Sequence, residues 1–142
     1  MTGGRSTLWQ CPTCRRRFAK RSQWHSCSSR SVDDHFRGKD ARLRSLFEEL
    51  IRRLRRTGPL RFDAVQTSIN LISTHHFGGV RVRNDHLRVG FLAKAPIKDA
   101  RILHTLHVGP RRVGHAVAIR SRADLDAKVL AWLRDAQALQ AR

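Results

Sequence analysis

Val80-Arg81-Val82-Arg83-Asn84-Asp85-His86-Leu87-Arg88-Val89-Gly90-Phe91 is the stretch whose reading decides the fold. Apolar and polar residues alternate with a period of two on both sides of Asn84-Asp85, and a two-residue turn between two such runs marks a β-hairpin. That turn sets Val82 opposite Leu87 and Val80 opposite Val89, so one face of the hairpin is apolar. On the other face Arg81 lies across from Arg88, and Arg83 across from His86. Like charges directly opposite each other weaken a strand pair, and a bound anion relieves the repulsion.

The same period continues outward. Upstream, Leu60, Phe62 and Ala64 alternate with Arg61 and Asp63, and Ile69 and Leu71 open another run. His75-His76-Phe77-Gly78-Gly79 reads as a bend between strands. Downstream, a second hairpin around Gly109-Pro110-Arg111-Arg112 places Ile102, His104, Leu106 and Val108 opposite Ile119, Val117, His115 and Val113. This register predicts Arg112 and Arg120 on the face of Arg81, Arg83 and Arg88. It also predicts His104 and His115 at diagonal positions among the apolar residues, close enough to share a ligand or a proton.

Helical signals bracket the strands. Leu43, Leu46, Phe47, Leu50, Ile51 and Leu54 recur at three and four residues, the spacing of one buried helix face. Asp40 precedes this run, Ser31 with Asp34 signals an earlier helix start, and Gly38 implies a short turn between the two. Gly58-Pro59 ends the helix, and Arg52, Arg53, Arg55 and Arg56 complement its dipole. Ser121 with Asp124 is expected to cap a last helix whose stripe is Leu125, Val129, Trp132, Leu133 and Ala136. The expected fold is α+β over residues 31–142, a mainly antiparallel sheet whose apolar face is covered by an N-terminal and a C-terminal helix.

Residues 1–30 form a separate module. All three cysteines fall in it, as Cys11-Pro12-Thr13-Cys14 and His25-Ser26-Cys27. Zn²⁺ takes four soft donors tetrahedrally, and a C-x-x-C turn points two thiolates at one ion. Cys11, Cys14, His25 and Cys27 therefore read as a closed structural Zn²⁺ site that folds the segment and performs no hydrolysis. His35 is a substitute donor lying in the next element. A Cys11–Cys14 redox pair, a disulfide leaving one cysteine over, and chance are the other readings. A redox pair normally opens a helix in a βαβ pattern, whereas here Arg15, Arg16 and Arg17 follow and no strand precedes.

The run Trp9-Gln10-Cys11-Pro12-Thr13-Cys14, with Arg16, Phe18-Ala19, Gln23-Trp24-His25-Ser26-Cys27 and His35-Phe36, resembles the N-terminal signature of an uncharacterised bacterial family, domain of unknown function 5655. Looser matches follow at Gly58-Pro59, Ile69, Phe77, the strand from Leu87 to Leu92, Arg101-Ile102, His115 and Asp124-Leu125-Asp126. Arg15 departs from the family's usual Gly, and a left-handed residue there costs about 1 kcal/mol. The family name implies no activity.

Charge directs the functional reading. The 29 basic residues against 11 acidic give +18, and this excess is uneven. Residues 1–31 and residues 61–120 each carry +7, whereas the helical segments 32–60 and 121–142 carry +3 and +1. Such a distribution suits a polyanionic partner, DNA or RNA. Most of the cations are arginines, which bind phosphate bidentately, although an arginine-rich genome accounts equally well for the preference over lysine. In the N-terminal module Arg15, Arg16, Arg17, Lys20, Arg21 and Trp24 offer cations with an aromatic for stacking, and Trp24 packing on the second domain is the plainer alternative.

Residues 61–120 hold only Asp63, Asp85 and Asp99 as acids, too few and too scattered for metal-dependent phosphodiester chemistry. No P-loop, dinucleotide Gly-rich turn or G-x-S-x-G is present. The expectation is a non-enzymatic, zinc-containing nucleic-acid-binding protein of weak sequence selectivity. Its alternatives are a small hydrolase or nuclease using His104 and His115, and a protein-interaction adaptor. No apolar run approaches a membrane span and no signal-like region follows Met1, so a cytoplasmic location is expected. Elemental analysis should find one zinc per chain, lost in Cys27→Ala, and less than half an equivalent in the unsubstituted protein purified without chelator would sink the site. Chelation should unfold residues 8–28 and spare the rest.

Overall fold

The computed structural model describes residues 8–10, 17–18 and 31–141. Within the N-terminal segment, β1 (Trp9–Gln10) pairs antiparallel with β2 (Arg17–Phe18), setting Trp9 against Phe18 and Gln10 against Arg17, so a two-residue strand does precede Cys11, contrary to the sequence reading. The proposed ligands Cys11, Cys14, His25 and Cys27 lie outside the described residues.

The larger unit begins with α1 (Val32–Phe36). Its capping box is the one expected: Asp34 N–H donates to Ser31 Oγ at 3.2 Å, and Ser31 N–H donates to Asp34 Oδ2 at 2.9 Å. Gly38 takes φ +75°, a left-handed conformation that glycine adopts without a Cβ clash, and turns the chain into α2 (Ala41–Arg55). Asp40 accepts the Arg42 N–H at 2.9 Å as the cap. Leu43, Leu46, Phe47, Leu50, Ile51 and Leu54 are all buried, as their spacing requires.

Six antiparallel strands follow: β3 (Arg61–Ala64), β4 (Ile69–Ile72), β5 (His76–Val82), β6 (Leu87–Ala93), β7 (His104–Gly109) and β8 (Arg112–Ile119). Their order is β3-β4-β5-β6-β8-β7, so the β7–β8 hairpin inserts with β8 inward and leaves β7 at the edge. The first hairpin has the expected register, Val80 with Val89, Arg81 with Arg88 and Val82 with Leu87. Arg83 N–H closes it by donating to the His86 carbonyl at 2.9 Å.

The second hairpin corrects the sequence reading. Gly109 pairs with Arg112 as expected, but a bulge at Val108 then shifts the partners by one, so His104 meets Ala116 and Thr105 meets His115. Pro110 fixes φ near −65° and Arg111 adopts φ 58°, the combination of a type II turn. Such a turn splays the strands of a two-residue hairpin, and a bulge restores the twist. Two smaller corrections concern termini. Residues 76–79 belong to β5, with a register shift opposite Leu71 and Ile72, and are not a bend. Asp124 accepts the Arg120 and Ser121 N–H groups in a short 3-10 turn, and α3 (Ala127–Leu139) is capped by Asp126, which accepts the Val129 N–H at 2.9 Å.

Both long helices pack on one side of the sheet. Ile69, Leu71, Phe77, Val80, Leu87, Val89, Phe91, Val117 and Ile119 point at them and are buried. Gln137 of α3 ties the layer together. Its Nε2 donates to the carbonyls of Leu54 and Pro59 at 3.0 and 3.1 Å, and its Oε1 accepts from Thr57 Oγ1 at 2.7 Å, satisfying the C-terminal end of α2.

At Gly78 the sheet tolerates no side chain, because a Cβ would stand 2.3 Å from the Gly90 carbonyl oxygen, and the obstructing atom is backbone. At Gly79 the nearest atom to a Cβ is 3.6 Å away, ordinary contact. Urea unfolding should therefore show Gly78→Ala destabilised by about 1–3 kcal/mol, the scale of overpacking. Gly79→Ala should stay close to the wild type.

Candidate nucleic-acid interface

One-sided burial leaves the opposite face of the sheet without a covering helix among the described residues. The parity that buries Leu87, Val89 and Phe91 turns Arg88, Gly90 and Leu92 outward, and on β5 it turns Gly79 and Arg81 outward. Register then aligns Asn70, Gly79, Gly90, Ala116 and His104 across five neighbouring strands. Three of these five bring no side chain or only a methyl group. At about 4.8 Å per strand the row spans about 19 Å. Arg81 and Arg88 border it on one side, Leu92 and Leu106 on the other, and together they form a shallow cleft of about 470 Å³. Ser68 Oγ donates to Asn70 Oδ1 at 3.2 Å at one end, so the Asn70 amide N–H groups remain as donors.

The two layers of the protein use their arginines differently. On the helical side acids engage many of them, although Arg42, Arg55, Arg56 and Arg134 form no ion pair among the described residues. Glu49, itself buried, takes Arg52, Arg53 at 2.6 Å and Arg122 at 3.1 Å, and the Arg53 hydrogen bond first of all holds its carboxyl below the usual range. Arg44 pairs with Asp33 at 2.7 Å and Glu48 at 3.4 Å. Arg101 bridges Asp99 and Asp126 at 3.1 and 2.7 Å, with Lys128 also on Asp99, and Arg101 is the main cause of a strongly lowered Asp99 pKa. None of the ion pairs among the described residues involves Arg81, Arg83, Arg88, Arg112 or Arg120.

By register Arg81, Arg88 and Arg112 lie on the open face, and the five do not form one cluster. Arg81 and Arg88 sit directly opposite each other. Arg83 and Arg120 lie just past strand ends near the Asn84-Asp85 turn, where Arg120 helps lower the Asp85 carboxyl after the larger effect of His86. Arg112 starts β8 at the far end, six residues from the partner of Arg88 and so about 20 Å away. Arg17 is exposed on β2, while Arg15, Arg16, Lys20, Arg21 and Trp24 lie outside the described residues.

A family profile matches residues 32–140. The chain belongs to the family described as Domain of unknown function (DUF5655). The match covers the whole six-stranded sheet and the three α-helices of the described residues, so the open face belongs to the DUF5655 unit itself. No curated protein and no solved structure matches the chain. No helix among the described residues is long and apolar enough to cross a membrane.

The bulge at Val108 also removes the expected histidine pair. His104 shares the open face with Ala116, while His115 points to the helical side, so the two occupy opposite faces of the DUF5655 sheet. His107 is the histidine beside His115, a diagonal neighbour through Val113. His115 is 3% exposed and stacks on Phe91, with centroids 5.4 Å apart, and Phe91 stacks in turn on Trp132. Ile97 N–H donates to its Nε2 at 3.0 Å, so the neutral ring carries its proton on Nδ1, which has no hydrogen-bond partner. His35 is likewise engaged, its Nε2 lying 2.7 Å from the Val65 carbonyl. Among the described residues no group of three potential metal ligands is present.

Burial pushes the His115 imidazole below its ordinary value, the Val113 backbone opposes this in part, and His107 adds a lesser downward push. The folded ring therefore resists a proton that the unfolded chain accepts at about pH 6.5. The resulting stability is complete above that pH and declines as pH falls below it. His115→Gln retains an acceptor for Ile97 and cannot titrate. Urea unfolding between about pH 7 and 5 should show a shallower loss in the variant, by at most one proton or about 1.4 kcal/mol per pH unit.

Proposed function

We propose that this chain is a non-enzymatic nucleic-acid-binding protein whose open sheet face receives phosphates at Arg81 and Arg88. The observation that carries the reading is the contrast in charge use. Acids engage much of the helical layer's arginine, whereas these two cations face each other across adjacent strands with no carboxylate among the described residues. An oxyanion between two guanidinium groups removes their repulsion and gains charge-assisted hydrogen bonds. The side-chain-poor row beside them lets a sugar-phosphate strand approach the sheet closely, and no aromatic side chain on that row reads bases. Binding is therefore led by phosphate and weakly selective for sequence.

Zn²⁺ held by Cys11, Cys14, His25 and Cys27 belongs to the same proposal. Its support is the donor set and spacing, and its role is to fold a module that brings Arg15, Arg16, Arg17, Lys20, Arg21 and Trp24 to the same polyanion. His104 and His115 lie on opposite faces of the sheet, which supports this reading over a hydrolase built on that pair.

The test replaces Arg81 and Arg88 by Thr. Stability should hold level or rise slightly, since a like-charged pair gives way to a favourable cross-strand pair. Affinity should fall, and the slope of log K against log salt should lose roughly 1.4 for a single strand and roughly 1.8 for duplex DNA, two phosphate contacts' worth. Lower stability with an unchanged slope would retire this face as the binding surface. Gly79→Ala, which places a methyl group in the cleft, should weaken binding at unchanged stability.

A further inference from the structure

The sheet ends differently at its two edges. At β3 the edge carries Arg61 and Asp63, the charged residues with which proteins discourage edge-to-edge pairing. At β7 the sequence is His104-Thr105-Leu106-His107-Val108-Gly109, and residues 102–110 contain no Lys, Arg, Asp or Glu in a chain of net charge +18. Leu103, Leu106 and Val108 are 52, 53 and 54% exposed, three of the four large apolar side chains exposed among the described residues. β7 bonds to β8 alone, and no hydrogen bond among the described residues reaches its outer side.

We propose that β7 pairs antiparallel with β7 of a second copy across a two-fold axis, joining the two sheets into one. Charge selects this occupant. Two molecules of this chain repel over most of their surface, and the β7 edge is where they can meet without bringing cations together. A polyanion finds no cation on the strand to hold it. An antiparallel edge is also self-complementary, each copy's outward N–H groups facing the other's carbonyls. The two-fold axis stands perpendicular to the sheet, so both open faces lie on the same side. Measured across the strands, Arg88 of one copy is then five strand spacings, about 24 Å, from its equivalent, and the two are displaced in opposite directions along the strands.

A six-residue edge is small beside the roughly 800 Å² per partner of a stable interface, so the dimer is an equilibrium that follows concentration. Sedimentation of nuclease-treated, nucleic-acid-free full-length protein from roughly 5 to 500 µM covers the range in which such contacts associate. The dimer fraction should rise with concentration, and it should rise again between about 0.1 and 0.5 M salt as the repulsion is screened. Salt moves nucleic-acid binding the opposite way, so the two proposals fail separately. Amide exchange across β7 should slow as protein concentration rises. Leu106→Lys and Val108→Lys, each at an exposed position, should give monomers with unchanged melting temperature. Three results would overturn the pairing: a monomer throughout, a dimer indifferent to both lysines, or β7 protection independent of concentration. The last would mean that the chain's own N-terminal segment covers the edge.

Discussion

Leu87, Val89 and Phe91 must all leave water, and because side chains alternate along a strand they can do so together only on one side. That constraint reaches from β6 outward. It fixes Val80 and Ile69 through β5 and β4, and Val117 and Ile119 through β8, and the two long helices close over the result. What remains on the other side is the complementary set: Arg81, Arg88, Gly79, Gly90, Gly114 and Ala116. The candidate interface is thus the remainder of core formation, and its small residues, with cations that form no ion pair among the described residues, are positioned by the burial of the opposite face.

The helical layer explains why those cations stay available. Most acidic residues of the DUF5655 unit lie in or beside the helices, where they cap, bridge and bury. Glu49 alone engages three arginines, and Asp99 and Asp126 hold Arg101, whose guanidinium also lies 5.2 Å from the Trp132 ring centre. Gln137 then fastens α3 to the end of α2 through uncharged groups. Acids committed in this way cannot neutralise the opposite face.

His115 and β7 show how one bulged residue redistributes chemistry. Val108 absorbs the twist mismatch of the Pro110-Arg111 turn, and everything before it exchanges faces. His104 moves to the open side beside Ala116, and His107 becomes the neighbour of the buried His115. Leu106 moves outward over Gly114, where a Cβ would meet its carbonyl at 3.5 Å. A pair that suggested catalysis becomes one polar residue at the end of a cleft and one neutral ring inside the core.

Local chemistry in the sequence determined much of this protein. Asp40 and Ser31 with Asp34 cap the helices they were expected to cap, the stripe from Leu43 to Leu54 is buried, and Val80 meets Val89 with Arg81 across from Arg88. These are short-range matters of period, turn length and capping, each settled within a few residues. Pro110 carried a further signal, since a fixed φ near −65° excludes the turns that suit a two-residue hairpin and so implies a bulge. The strand order, the faces of His104 and His107, and the alignment of Ala116 with the Gly79–Gly90 pair belong to the tertiary structure alone. They depend on which edge of β6 the second hairpin joins and in what register. Burial of residues distant in sequence decides that, and alternation within a single strand carries no record of it.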